Sequence, residues 1–371
     1  MSAPTPPVVA APSATSPAAG VWLVAEREIS SKLRSKAFMI STGILLLIAL
    51  AGVLIGGFTT KSPAPDKIAV TAETASLVQN LPGYTPTDVA DRSAAEKLVR
   101  DGDVKAAIVP GQGDGFDFVV LAMEDAPSGL VSALSKAPKV ELLSPPTTNP
   151  LLRYLVAIGF GIVFLMAAST FGGTIAQSVV EEKQTRVVEL LLSAISPRTL
   201  LAGKVLGNTV LAMAQIVALV AIAMVGLTVT GQTTVLEGLG GPIIWFAVFF
   251  LFGFVLLAAL YSAAAAMVSR QEDIGSTTTP LVFLVMLPYF LVIFFNDNPV
   301  VMTILSYVPF SAPVGMPVRL FVGEAQWWEP LVSLVILLVS CVGAILIGAK
   351  IYENSLLRMG ARVKLSEALK G

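Results

Sequence analysis

Long uncharged apolar runs alternate with short charged segments along this chain. A helix needs about 20 apolar residues to cross a hydrocarbon layer roughly 30 Å thick. Six runs have that length, and they predict membrane-spanning helices at residues 37–58, 151–175, 203–229, 243–267, 274–295 and 331–351. The run at 274–295 contains Pro280 and Pro288, so we predict a kinked span whose neighbours satisfy the backbone groups that proline frees.

The segment 177–200, between the second and third spans, has the pattern of a charged amphipathic helix. Glu182 and Arg186 are four residues apart, and Arg186 and Glu189 are three apart, which are separations that stabilise helices. The apolar residues of this helix form one stripe, made of Val187, Leu190, Leu191 and Ala194.

The end of the same segment predicts a tight return into the membrane. Ser196 is placed to cap the next helix, and Pro197 stands at that helix's first position. Together these features predict a rigid lever between two spans, on which a partner in the aqueous phase acts. A loop whose apolar stripe only packs against other spans fits the periodicity equally well.

Residues 59–149 predict a small α/β domain between the first and second spans. Three short runs have strand character, at residues 67–71, 104–109 and 116–122. Ser93 and Glu96 have capping-box spacing at the start of a short helix that is expected to end near Gly102. Two roles stay open for this domain: a compact spacer or lid, and a ligand-binding receptor module.

The start of the chain predicts a tail followed by a helix along the membrane surface. Residues 1–20 are uncharged and rich in Pro, Ala, Ser and Thr, which is typical of disorder. In residues 21–36, apolar positions recur near helical spacing at Val21, Trp22, Ala25, Ile29 and Leu33. We predict an elbow helix in the membrane interface, which suits Trp22. The alternative is an ordinary basic, solvated approach to the first span, which itself is expected to be the uncleaved targeting element.

The basic residues predict the orientation of the chain. They precede the first span, separate the second from the third, and follow the fourth and sixth, all on one side if there are six spans. The opposite side has no basic residue in 230–242 and only Arg319 in 296–330. The six spans predict a multi-pass protein of the inner or plasma membrane. Lys and Arg are enriched in cytoplasmic loops, so we predict that the side with the basic residues is cytoplasmic. Both termini, including the tail 352–371, are then cytoplasmic, and residues 59–149 are extracytoplasmic.

Composition supports a membrane protein and excludes several kinds of chemistry. The 371 residues are 55% hydrophobic and 13% charged, with a mean hydropathy of +0.80. The chain has no histidine and one cysteine, Cys341, inside the last span. Histidine-based zinc sites, haem ligation by histidine and Ser-His-Asp hydrolysis are therefore excluded. We predict no catalytic residue, cofactor site or metal site, and a fold class of all-α polytopic membrane protein with six spans and the small α/β domain.

The sequence offers no energy source of its own. A charge at the bilayer centre costs about 2.5 to 3.5 kcal/mol and persists only for a reason, yet ionisable residues are confined to the span ends. This disfavours a secondary transporter. No phosphate-binding loop is present, since Gly203-Lys204 lacks the following hydroxyl residue. ATP hydrolysis, if it is used, must come from another polypeptide.

The few polar residues inside the spans have two interpretations. They include Ser169, Thr170, Asn208 and Gln215. Hydrogen bonds between packed helices are the simpler explanation. A transport path lined by these four residues is the alternative.

One family resemblance rests on the segment between the second and third spans. Residues 179–207 read VVEEKQTRVVELLLSAISPRTLLAGKVLG, which resembles the signature of ABC-2 type transporter permeases, and the nearest branch is the NatB-like sodium-efflux group. Further similar stretches occur in the same order, at residues 21–38, 268–280, 298–318, 326–329 and 351–369. The resemblance covers most of residues 21–369.

The resemblance implies a six-span subunit that pairs with a second permease and with ABC ATP-binding subunits, which bind ATP and Mg²⁺. It implies that residues 181–195 contact the ATPase, with Glu181, Glu182, Lys183, Arg186 and Glu189 as polar contacts and Val187, Leu190 and Leu191 as apolar ones. It also implies that 296–330 forms outer re-entrant helices.

The expected function is export of a substrate, either Na⁺ or a small amphipathic compound. The expected partners include membrane lipid and no nucleic acid. A membrane sensor or scaffold that relays an external ligand signal to a cytoplasmic partner is the alternative from another class of protein.

Overall fold

The computed structural model describes residues 16–59, 65–78, 81, 83–111, 117–123, 127–134, 150–185, 187–356, 358 and 363–370. These residues belong to two compact units. The helical unit comprises Met1–Ala51 and Pro146–Gly371, and the sheet unit comprises Gly52–Pro145. Six helices are long and apolar enough to span a membrane, and four strands lie between the first and second of them, which confirms the predicted fold class.

The secondary structure follows the apolar pattern closely. In chain order the helices are α1 (Pro17–Arg34), α2 (Lys36–Thr59), α3 (Arg92–Asp101), α4 (Ser128–Leu134), α5 (Pro150–Gln184), α6 (Val187–Ala194), α7 (Pro197–Val229), α8 (Thr233–Ala266), α9 (Ile274–Phe294), α10 (Pro299–Tyr307), α11 (Ala312–Val322), α12 (Glu329–Leu356) and α13 (Leu365–Lys370). The strands are β1 (Asp66–Thr71), β2 (Tyr84–Val89), β3 (Ala106–Pro110) and β4 (Phe118–Leu121). The candidate spans are α2, α5, α7, α8, α9 and α12.

Two predicted boundaries are wrong. The first helix begins at Pro17, inside the tail predicted to be disordered, because Ser16 caps it by accepting a hydrogen bond from the Ala19 amide. Residues 1–15 of that tail lie outside the described residues. Helix α8 begins at Thr233 and its candidate span at Gly238, so residues 230–232 alone connect α7 to α8, and Pro242 lies inside α8.

Helix α8 forms the centre of the helical unit. Phe249, Phe250 and Phe254 on this helix are fully or almost fully buried. Phe250 meets Phe164 of α5, and Phe254 meets Phe171 of α5, in edge-to-face ring contacts. Such aromatic contacts, together with close packing, hold helices together where lipid removes much of the hydrophobic driving force.

Glycine allows the closest helix contact next to this core. A Cβ placed on Gly161 of α5 would lie 1.8 Å from Cε2 of Tyr289 on α9. A side chain at this crossing would therefore require the Tyr289 ring to move, whereas glycine lets the ring pack against the backbone of α5.

The sheet unit is a four-stranded sheet in the order β2-β1-β3-β4. Strand β1 is parallel to both β2 and β3, and β4 is antiparallel to β3. Apolar side chains of α3 pack on one face, and Leu130 of α4 packs on the other. Helices on both faces make this the α/β domain that the sequence predicts.

Two details of the sheet unit differ from prediction. Strand β2 was not predicted, because it contains Pro86 and Asp88, residues that are rare inside strands and are tolerated at a sheet edge. Helix α3 is capped by Asp91, which accepts a hydrogen bond from the Ala94 amide at 2.8 Å, rather than by Ser93. The helix ends as predicted at Gly102, whose φ of 78° is the left-handed conformation that glycine favours.

The segment between the fifth and sixth spans contains the short helices α10 and α11. Arg319 on α11 donates a hydrogen bond to the Glu329 carboxylate at the start of α12, at 2.5 Å. Both side chains are buried, and Arg319 also donates to the Ser306 hydroxyl of α10. A buried ion pair therefore joins α10 and α11 to the last span.

Candidate functional site

The predicted coupling helix is divided into two parts in the structure. Glu181, Glu182 and Lys183 belong to the last turn of α5, which continues to Gln184. A turn at Thr185 follows, and α6 begins at Val187, so the prediction of one continuous amphipathic helix is wrong. Arg186 lies outside the described residues.

The return into the membrane has the predicted geometry. The Ser196 side chain accepts a hydrogen bond from the Thr199 amide at 3.2 Å, and Pro197 is the first residue of α7. Because the cap satisfies a backbone donor that a helix start leaves free, α7 begins at a fixed position directly after α6.

Helix α6 presents a mixed surface to solvent. Val188 is fully buried, and Leu191 is partly buried against the same apolar cluster. Leu190 is 75% exposed and Val187 is 38% exposed. The outward surface of α6, here called the α6 surface, consists of Val187, Glu189, Leu190, Ser193 and Ala194. The predicted stripe is therefore split, since Leu191 faces inward and Leu190 outward.

Four charged side chains from α1, α5 and α7 form one group, here called the ion cluster: Arg27, Glu28, Glu182 and Lys204. The Lys204 ammonium lies 2.9 Å from a Glu28 oxygen and 3.0 Å from a Glu182 oxygen. Arg27 also forms ion pairs with both carboxylates. Two cations and two anions balance, which is the condition under which charges remain inside a protein.

Lys204 occupies the centre of the ion cluster. Its side chain is fully buried, and its ammonium also contacts the Ser178 hydroxyl at 2.5 Å. Burial by itself raises the pKa of Glu28, but the nearby charges of Lys204 and Arg27 outweigh that effect and hold the pKa below its ordinary value. The ion cluster thus ties α1 and the start of α7 to the end of α5. Glu182, a predicted ATPase contact, is mostly enclosed within it.

Glycines bring α1 and α7 into direct contact. A Cβ on Gly203 would lie 2.4 Å from the Val24 Cβ, and one on Gly207 would lie 2.9 Å from the Ala25 carbonyl oxygen. The buried face of α1 contains Val24, Ala25 and Glu28, so Ala25 is the one predicted apolar position of this helix that is fully buried. Trp22 is 57% exposed.

Lys183 is not a surface residue, which corrects its assignment as an ATPase contact. Its side chain is fully buried. The ammonium donates hydrogen bonds to the carbonyl oxygens of Ala266 and Ser355, at 2.8 and 2.9 Å. Of the predicted polar contacts, Glu181 and Glu189 are exposed.

The four candidate transport-path residues do not form one site within this chain. Asn208 is fully buried and donates to the Lys204 carbonyl at 2.9 Å, and Gln215 is also buried on α7. Ser169 and Thr170 are exposed on α5. Asn208 therefore takes part in packing, whereas Ser169 and Thr170 lie on an outer surface of the subunit.

Sequence reasoning missed both buried ionic groups. Glu28 of the predicted elbow helix was assigned no role from the sequence. Arg319 was used only to predict the orientation of the chain in the membrane. One signal for the second group was available, since Arg319 is the only basic residue in 296–330 and Glu329 directly precedes an apolar run.

The fold and the site define a polytopic membrane protein with a short, partly exposed helix between two spans. Comparison with known families identifies the class. Residues 36–350 match the family model described as ABC-2 family transporter protein, and the chain belongs to that family.

Two relatives match over nearly the whole chain. An uncharacterized protein, MJ1024, of Methanocaldococcus jannaschii is 25% identical over 389 residues, covering 94% of this chain and 96% of its own length. An uncharacterized protein, YhaP, of Bacillus subtilis is 24% identical over 398 residues, covering 91% and 95%.

Proposed function

We propose that this protein is the permease subunit of an ATP-driven exporter, and that an ABC ATP-binding subunit docks on the α6 surface. The exposure of Leu190 carries the proposal. This leucine stands with 75% of its surface exposed on a helix that lies between two spans. Val187 is three residues away on the same face, and Glu189 adds a charge beside them. An apolar centre with polar surroundings is the usual form of a protein–protein contact.

The partner would supply all of the ATP chemistry, including the bound Mg²⁺. In this chain the Gly203-Lys204 pair is engaged elsewhere, because the Lys204 ammonium lies inside the ion cluster. The permease would bind the ATPase with different affinities in its two conformations. A binding partner can shift a conformational equilibrium only if these affinities differ.

The proposed orientation places α6 in the cytoplasm. Basic residues surround this end of the spans, including Arg27, Lys32, Arg198, Arg270 and Lys350. The asymmetry favours cytoplasmic termini by the positive-inside rule. An ATPase needs cytoplasmic ATP, so orientation and docking support one another.

A second permease is proposed to cover the adjoining outer surfaces of α5 and α9. Ser169 and Thr170 are exposed on α5 next to Met166, and Phe283 and Leu287 are exposed on α9. Small and polar side chains among large apolar ones are typical of helix–helix interfaces in membranes. We place the substrate path at this interface, with Na⁺ or a small amphipathic compound as the substrate. Carbonyl and hydroxyl oxygens, such as those of Ser169 and Thr170, are suitable Na⁺ ligands.

The docking proposal is tested by co-purification. The full-length chain is co-expressed with an ABC ATP-binding subunit, and the Leu190→Asp variant is compared with wild type. A charge in the centre of the contact is expected to abolish co-purification. Leu365→Asp is the matched control, because Leu365 is also an exposed leucine, 55% exposed on α13, and lies outside the α6 surface.

Transport separates the proposal from its alternatives. Sealed inverted vesicles containing both subunits are expected to accumulate ²²Na⁺ or a fluorescent amphipathic cation only with ATP, and Leu190→Asp is expected to remove that accumulation. Flux driven by an ion gradient without ATP would indicate a secondary transporter. Stable binding of the ATPase without any flux would favour the sensor or scaffold.

A further inference from the structure

Lys183 holds a positive charge inside the helical unit without a carboxylate partner. Its side chain is fully buried, and its ammonium donates to the Ala266 and Ser355 carbonyl oxygens. Within the described part of the chain, no carboxylate lies within ion-pair distance of this ammonium. The contact therefore needs a different source of charge compensation.

Two helix ends provide that compensation. Ala266 is the last residue of α8, and Ser355 lies in the last turn of α12. Carbonyl groups in a last turn have no partner within their helix, and each helix end has roughly half a negative charge. Two such ends together balance one ammonium. Because the acceptors are backbone atoms, the contact fixes the ends of the helices themselves.

Lys183 also stands next to the turn that leads into α6. The next residue, Gln184, is the last residue of α5, and α6 starts at Val187. Any displacement of α6 thus reaches α5 at its last turn. From there the Lys183 ammonium connects α5 directly to α8 and α12.

Helices α8 and α12 both extend from this contact to α11. With 34 and 28 residues, at about 1.5 Å per residue, they are roughly 50 and 40 Å long. Helix α11 packs along the half of α8 that lies away from this contact. A Cβ on Gly253, in the middle of α8, would lie 2.5 Å from the Pro313 Cγ, and one on Gly238, near the start of α8, would lie 3.8 Å from Cε2 of Phe321. Helix α12 starts at Glu329, which is paired with Arg319 of α11.

We propose that Lys183 is a positioning residue that transmits movement of α6, through α8 and α12, to the helix pair α10–α11 at their opposite ends. This inference rests on the proposed function, because it takes the docked ATPase as the source of the movement. It assigns Lys183 a role in coupling rather than in docking.

The test measures whether ATP changes the surface of α10. A Cys341→Ala chain receives Val300→Cys, since Val300 is 69% exposed at the start of α10. The complex with the ATP-binding subunit is placed in nanodiscs, and labelling by a maleimide is timed with and without ATP and vanadate. The ratio of the two rates reports coupling.

Lys183→Met is expected to bind the ATP-binding subunit and to keep the labelling rate measured without ATP. The effect of ATP on the labelling rate is expected to fall at least about fivefold, which is the lower end of typical coupling between sites. Lys183→Arg keeps the charge and the donors, so it is expected to restore most of the effect. An unchanged ratio in Lys183→Met overturns the inference. Failure of the wild-type chain to bind the ATPase overturns the proposed function instead, and binding without any ATP effect at Val300 overturns only the inference.

A second measurement needs no substitution of Lys183. Spin labels at Gln184→Cys and Lys350→Cys report the distance between the ends of α5 and α12, and both positions are exposed. The distance is expected to be the same in the nucleotide-free and vanadate-trapped complexes. A distance that changes between the two states means that α5 and α12 move separately, which contradicts the inference even if Lys183→Met does not fold.

Discussion

The Lys204 ammonium lies 3.0 Å from the Glu182 carboxylate, which joins the start of α7 to the end of α5 on either side of α6. One contact therefore joins the two helices that flank α6, from Glu182 in the last turn of α5 to Lys204, the eighth residue of α7. Glu28 and Arg27 extend the same contact to α1. The short helix that we propose as the docking site is thus mounted on three helices that cannot move independently at this point.

Removing Lys204 is expected to destabilise the protein strongly. In Lys204→Met, the carboxylates of Glu28 and Glu182 stay buried with only Arg27 to balance them. Breaking a buried ionic group by removing one partner typically costs about 3–5 kcal/mol. Thermal unfolding of the purified protein in detergent measures the loss.

Arg198→Met provides the control for that variant. It breaks the pair between Arg198 and Glu353, where the arginine side chain is 74% exposed. Because solvent screens such an exposed pair, Arg198→Met is expected to lower the melting temperature much less than Lys204→Met. Equal losses in the two variants would show that the ion cluster is no more than an ordinary surface contact.

The spans could be predicted from sequence because length and hydropathy alone set the requirement for crossing a membrane. The cap at Ser196 was also predictable, since its donor and acceptor are three residues apart. The ion cluster was not, because Lys204 and Glu28 are 176 positions apart and no local pattern pairs them.

Lys183 shows a second limit of sequence reasoning. Its partners are backbone carbonyls, which every residue has, so no side-chain pattern marks them. The family resemblance implied that Lys183 is a polar contact to the ATPase, and the structure places its side chain in the interior. The sequence assigned Leu190 and Leu191 to one apolar stripe, but the three-dimensional packing shows that Leu190 faces outward and that Leu191 is partly buried.

The close contact of α1 with α7 predicts intolerance of any side chain at Gly207. In Gly207→Ala the new Cβ would meet the Ala25 carbonyl oxygen at 2.9 Å, and that backbone atom cannot turn aside. Overpacking of this kind typically costs about 1–3 kcal/mol. The melting temperature is expected to fall, and protease cleavage within α1 is expected to become faster.

Gly343→Ala is the matched control, because a Cβ at Gly343 of α12 meets nothing within 4 Å. Its melting temperature is expected to equal or exceed that of wild type, since alanine favours helices over glycine. The α1–α7 contact would be refuted as a tight interface if Gly207→Ala behaved in the same way as Gly343→Ala.

The lowered pKa of Glu28 predicts that the free energy of unfolding decreases at acidic pH. Burial raises its pKa, but Lys204 and Arg27 lower it by more, so the folded-state pKa lies below the ordinary value of 4.5. A lowered folded-state pKa means that the unfolded state binds the proton more readily. The contribution of Glu28 is therefore complete above pH 4.5 and is lost as the pH falls through the folded-state pKa.

Melting temperatures between pH 7 and pH 3 test this dependence. Wild type is expected to lose stability below about pH 4.5, and part of that loss is expected to disappear in Glu28→Gln, which has no proton to gain. Glu272→Gln is the control, because Glu272 forms only an exposed pair with Arg270. An identical acid profile in wild type and Glu28→Gln would contradict the depressed pKa.

The Arg319–Glu329 pair predicts that the stability losses of two single variants do not add up in the double variant. Arg319→Met leaves the Glu329 carboxylate buried with only the Tyr307 hydroxyl and the Gln326 amide as donors, so a loss of about 3–5 kcal/mol is expected. Glu329→Leu alone leaves the Arg319 guanidinium buried and is expected to be similarly harmful.

The double variant replaces the buried ion pair by apolar side chains of similar volume, a change that is often neutral or stabilising. Unfolding measurements on the four proteins give the coupling energy directly, and simple additivity of the two losses would mean that the carboxylate and the guanidinium do not depend on each other. Recovery in the double variant would show that each single loss comes from a buried charge left without its partner.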